Sequence, residues 1–254
     1  MLGTIGVSAV SYLNTVPFIY GLRQFPICNS INLQLNYPSK SALSLEKNES
    51  QIGLIPVAAI EGISNAHIFS NYCIGSTDAV RTVVLFSNSS IDEIKTIYLD
   101  RESRTSVLLI KILAANHWNK TFSWSELSTY ASPEYQKPNI GIVAIGDKVF
   151  ELEKLYTYKY DLALEWKKLT GLPFAFAAWV AKKSIDSKFL VQFEQALQIG
   201  IDNIPLALEG YNIYGLSTQE ATFYLTNNIS YHFDEKKREA MTLFLKMGKG
   251  LAPG

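Results

Sequence analysis

The sequence predicts an α/β chain of two lobes with a ligand cleft between them. Three observations carry that reading. Strand and helix signals alternate as far as Ala181, only helical patterns follow Asp186, and 254 residues that are 48% hydrophobic can fill two cores. The alternation favours mainly parallel sheets. The element order suits two chain crossings, so residues 1–86 with 182–254 are expected to form lobe I and residues 87–181 lobe II. Ligands in such folds sit where strand ends and helix N-termini converge.

Thr4 to Val10 reads as a short apolar strand, and Thr15 to Gln24 as a helix with Pro17 in its first turn, where the missing N–H costs little. Ile31 to Leu35 alternates apolar and polar residues, as a half-buried strand does. Ser39 to Lys47 is a helix opened by a serine, and Ile52 to Pro56 a short buried strand. Arg81 to Phe86 and Thr96 to Tyr98 are β-rich. The run Val107 to Leu113 is helical, with Ser103-Arg104-Thr105-Ser106 at its N-terminus. Ile140 to Ile145 is a strand stopped by Gly146-Asp147, with a short helix from Lys148. A charged helical run, Asp161 to Thr170, leads through the turn signal Gly171-Leu172-Pro173 to a strand over Phe174 to Ala181. That apolar run is too short to span a bilayer, which takes roughly 20 residues. Four helices complete the chain: Asp186 to Asp202, Pro205 to Tyr211, Ser217 to Thr226 and Asp234 to Lys249.

Composition narrows the function. Lys plus Arg and Asp plus Glu both number 23, so no basic excess points to nucleic acid, whereas a small anion needs only a few local donors. Cys28 and Cys73 stand apart, giving neither a disulfide framework nor zinc spacing. His67, His117 and His232 lie in unlike contexts. The chain has no HExxH, Walker loop or GxGxxG, so metal, nucleotide and flavin chemistry have little support. The N-terminus lacks the basic start of a signal peptide and reads as core strand, so a cytoplasmic chain is expected.

Several residue groups can carry binding or chemistry. Ser103, Arg104, Thr105 and Ser106 combine hydroxyls and a guanidinium with a helix N-terminus, which suits a carboxylate; the same run is also an ordinary helix cap. Asn14 either caps the next helix or turns its amide into the cleft, where it can orient a substrate but not act as a base. Thr82 either offers a hydroxyl or is simply a β-former. Gly146-Asp147 ends a strand, so the carboxylate is either a base or a helix cap. Glu165 and Trp166 suit either the surface or the cleft.

Five segments, in order, resemble the chorismate dehydratases of the futalosine route to menaquinone. They are Ser11-Tyr12-Leu13-Asn14-Thr15-Val16-Pro17, Ile52-Gly53-Leu54-Ile55-Pro56-Val57, Ser103-Arg104-Thr105-Ser106-Val107, Ile145-Gly146-Asp147, and the stretch from Leu164-Glu165-Trp166 through Trp179. The resemblance implies a two-lobed fold of the type II periplasmic binding proteins. It also implies removal of water from chorismate to give 3-[(1-carboxyvinyl)oxy]benzoate, with no cofactor and no metal. It makes Asn14 the catalytic residue. Ser11, Thr82, the Ser103–Ser106 segment, Gly146 and Asp147 become substrate-binding residues, with Thr82 standing where the family has a serine. The expected partner is a small molecule, with no nucleic acid and no membrane. Two rivals stay open: a non-catalytic small-anion receptor of the same fold, and the sister lyase that forms dihydroxynaphthoate. The latter typically begins with a Cys-Pro-Asn-Asp type motif, which is absent here.

Overall fold

A computed structural model describes residues 4–24, 26–100, 102–130 and 132–251. Two mixed sheets organise them. The first has six strands in the order β11-β4-β10-β3-β1-β2, with β1 Ile5–Val10, β2 Ile31–Asn36, β3 Ile52–Pro56, β4 His67–Ser76, β10 Phe174–Ala181 and β11 Ser230–His232. The second has five in the order β7-β6-β8-β5-β9, with β5 Val83–Ser87, β6 Thr96–Leu99, β7 Ser123–Glu126, β8 Ile140–Ile145 and β9 Tyr158–Asp161. Helices α1 Val16–Leu22, α2 Pro38–Glu46, α3 Arg104–Asn116, α4 Val149–Leu152 and α5 Leu162–Thr170 alternate with the strands. Helices α6 Ser187–Asp202, α7 Ile204–Ala207, α8 Thr218–Phe223 and α9 Glu235–Gly248 follow. Among the described residues no helix is long and apolar enough to cross a membrane.

The sheets depart from the expected parallel order at three strands. β10 runs antiparallel to β3 and β4, β11 runs antiparallel to β4, and β5 runs antiparallel to β8 and β9. Two of these strands, β5 and β10, move the crossings. β5 belongs to the second sheet and β10 to the first, so the expected junctions at 86/87 and 181/182 fall on the wrong side of each strand. The physical reason is burial. Every residue of β10 is buried, and its apolar side chains fill the first core, where Trp179 meets Phe193 edge-on at 5.0 Å.

Local signals set most element ends. Asp161 and Asp186 accept hydrogen bonds from the first N–H groups of α5 and α6, and Ser217 with Glu220 forms a reciprocal capping box on α8. Gly171 closes α5 at φ +75°, a left-handed conformation that favours glycine. Two expected helices differ in extent. The one starting near Pro205 ends at Ala207, and α8 passes into a π-helical turn, Tyr224–Asn228. The tail is not wholly helical either, since β11 follows that turn.

Helices α1 and α6 touch through glycine. A Cβ on Gly200 would lie 1.7 Å from the carbonyl oxygen of Pro17, and one on Gly21 would lie 1.8 Å from that of Ala196. This close approach fixes α1, and with it the turn that precedes it, against the first sheet.

Candidate active site

Elements of both sheets line one pocket, with about 510 Å³ of space including its mouth. Its polar wall is made by Tyr12, Asn14, Thr15, Thr82, Ser103 and Ser106, with Gly146 at the base. Phe176, Ile74, Val80, Val83 and Ile145 supply the apolar wall. Among the described residues that line it, none carries a charged side chain.

Asn14 sits in a 3₁₀ turn, Leu13–Thr15, between β1 and α1. Leu13 points into the core, which leaves Asn14 beside the pocket. The α1 cap position falls on Thr15 and carries no side-chain cap bond, so Asn14 does not cap the helix. Its Oδ1 instead accepts a hydrogen bond from Thr15 Oγ1 at 3.0 Å. Tyr224 Oη lies 2.8 Å from Thr82 Oγ1. Thr82 precedes β5 rather than lying within it, and its carbonyl accepts from Gly146 N at 2.9 Å.

At the other end, Ser103 caps α3 by accepting from Ser106 N at 3.2 Å, and the two hydroxyls lie 2.9 Å apart. Both hydroxyls and the first turn of α3 therefore face the same space, where free N–H groups and the helix dipole favour an anion.

The remaining expected site residues lie off the pocket wall. Arg104 is exposed, because the helical turn carries it to the opposite side of α3 from Ser103 and Ser106. Thr105 is buried and spans the walls: its hydroxyl donates to Phe176 O and accepts from Ala58 N, both at 3.2 Å. Ser11 bonds through its backbone to Asn36 O. Asp147 is 4% exposed and accepts from Leu13 N at 3.0 and 3.1 Å. It is neither a helix cap nor a free base. Burial pushes its carboxyl up to about 7, against the opposing pull of Leu13 N–H and the Tyr214 hydroxyl. Glu165 is engaged by His117 and Trp118, and the Trp166 indole donates to Pro173 O, so neither faces the pocket.

Three residues were not anticipated. Tyr12 lines the pocket and donates across to Glu102 at 3.0 Å, and its ring leaves no room for a Cβ on Gly146, which adopts φ +69°. It belongs to the first motif, but nothing in the sequence says which way its ring turns. Thr15 supports the Asn14 amide from the next position. Tyr224 comes from the C-terminal segment, where only helix signals were legible.

The family model described as menaquinone biosynthesis matches residues 5–250. A curated chorismate dehydratase from Campylobacter jejuni is 25% identical over 248 residues, covering 95% of this chain and 96% of that protein. Among solved structures, protein AF1704 from Archaeoglobus fulgidus is similar at a TM-score of 0.78 and 16% identity, with 98% of each chain covered. The Candida albicans CA3427 gene product, described as having the generic periplasmic binding protein fold, gives 0.71 at 15% identity, covering 100% of this chain and 92% of that one. The alkanesulfonate-binding protein SsuA from Xanthomonas axonopodis pv. citri gives 0.63 at 13% identity, covering 99% and 95%. At these identities the structural likenesses establish the fold.

Proposed function

Because the chain belongs to the menaquinone biosynthesis family, we propose that it is a chorismate dehydratase, converting chorismate to 3-[(1-carboxyvinyl)oxy]benzoate and water. One observation carries the reading beyond family membership. Asn14 of the first motif meets Thr82, Ser103 and Ser106 around a pocket whose described lining has hydroxyl, amide and helix-end donors and no charged side chain. Such a wall suits a dicarboxylate whose charge must be stabilised while its ring reacts.

The chemistry follows from the substrate. The hydrogen on C3 of chorismate is vinylogous to the ring carboxylate, so its loss places negative charge on that carboxylate. Departure of the C4 hydroxyl with the proton as water completes the benzene ring. Nothing is oxidised or reduced, so the reaction consumes no redox cofactor and is a carbon–oxygen lyase step. The Ser103 end stabilises the developing charge. Asn14 and Thr82 hold the enolpyruvyl group so that its own carboxylate takes the C3 proton. The state of Asp147 supports this assignment, since its carboxylate is tied to the Leu13 amide rather than open to the pocket. The cytoplasmic location is part of the same proposal.

Incubation of the purified protein with chorismate tests it, with ultraviolet spectra and mass spectrometry of the product. The expected result is the enolpyruvyl benzoate with loss of one water. Tight binding without turnover would identify a receptor instead, and inertness to chorismate would overturn the reading.

A further inference from the structure

We propose that Tyr224 is a positioning residue for this reaction, turning the Thr82 hydroxyl proton into the pocket. The inference rests on the dehydratase reading. Tyr224 is fully buried and is not part of the pocket lining, so it acts through Thr82, which is. It begins the π-helical turn Tyr224–Asn228, an irregularity often found at functional sites.

Hydrogen-bond directions define the role. Thr15 Oγ1 donates to Asn14 Oδ1, which commits the amide oxygen and leaves the amide N–H groups for a ligand. A phenol has one proton and can also accept. A phenol is a stronger donor than an aliphatic hydroxyl, so its proton goes to Thr82 Oγ1, 2.8 Å away. Thr82 then keeps its own proton for a ligand, beside the Asn14 amide. Both pocket groups are thereby committed as donors, which is what a carboxylate requires. Burial holds the phenol far above its ordinary pKa, so it keeps the proton this arrangement needs. A purely structural role predicts otherwise, because the edge-on contact with Phe150 at 5.3 Å would survive in phenylalanine.

The test is Tyr224→Phe in the full chain, with chorismate turnover as the readout. We expect kcat to fall roughly tenfold while KM changes less than about twofold, with melting close to that of the unmodified protein. On a Thr82→Val background the same change should cost less than about twofold, because its partner is gone. Tyr231→Phe serves as the control: the Tyr231 hydroxyl is buried with no hydrogen-bond partner, so its removal should leave turnover unchanged. Wild-type kcat in Tyr224→Phe, or equal losses on both backgrounds, overturns the proposal while leaving the dehydratase reading intact. An unmodified protein that does not dehydrate chorismate removes both. Should Tyr224→Phe fail to fold, the hydroxyl-proton resonance of Tyr224 carries the test. It should shift in Thr82→Val, and an unmoved resonance overturns the proposal.

Discussion

The two ends of the pocket are built by opposite means. At the Ser103 end, donors arise from one helix start, with residues three apart in sequence and the cap bond closing on itself. At the Asn14 end, donors come from a turn after β1, the residue before β5 and a tyrosine far along the chain. The first end is a local consequence of sequence. The second exists only when both sheets and the C-terminal segment are assembled. Damage at the Ser103 end should therefore remain local, whereas the Asn14 end is exposed to changes well outside the pocket.

The largest expected effect is on the Asn14 end itself. Asn14→Ala should lower kcat roughly 100-fold or more, the scale of losing a preorganised donor. Steady-state kinetics with chorismate would check this, and near-normal turnover would remove Asn14 from the mechanism. Next comes the packing that supports its turn. Gly200→Ala forces a Cβ to within 1.7 Å of Pro17 O, and overpacking of this kind costs about 1–3 kcal/mol or more. Thermal melting should fall, whereas an unchanged melting curve would mean that α1 is not pinned by α6.

Asp147 joins the walls and gives the comparison a pH dependence. Its folded carboxyl holds the proton up to about 7, above the ordinary 3.8. The stability linked to that proton is therefore complete below about pH 3.8 and fades as pH rises through about 7. Asp147→Asn keeps an acceptor for Leu13 N and cannot ionise. Urea unfolding across this window should show the wild type losing stability relative to the variant as pH rises; parallel curves would contradict the assignment.

The smallest effects sharpen the Ser103 end. Ser103→Ala removes a cap worth about 1 kcal/mol and a pocket hydroxyl together, so both melting temperature and KM should worsen. Arg104→Ala, one residue on, should change kcat/KM less than about twofold, since that side chain is exposed. A large loss with Arg104→Ala would return the guanidinium to the site.

What was legible follows the same division. β8 and β10 are readable to their ends, because continuous apolar runs are bounded by Gly146 and Pro173. β4 is not: Ser70 and Asn71 break its apolar pattern, yet it lies between β10 and β11. β7, β9 and β11 are too short to show a period. The swap of β5 and β10 between sheets depends on antiparallel pairing that no local pattern encodes. In the site, Ser103 and Ser106 are both cap and pocket wall, so one reading served for both. Asp147 and Thr105 resemble binding residues in sequence but span the walls, and only tertiary placement separates those roles.

A crystal structure of the complex with 3-[(1-carboxyvinyl)oxy]benzoate tests the division of labour most directly. The account predicts the ring carboxylate within hydrogen-bond reach of Ser103, Ser106 and the first N–H groups of α3, and the enolpyruvyl group against Asn14 and Thr82. A product molecule bound the other way round, or held by Arg104 outside the pocket, would contradict it.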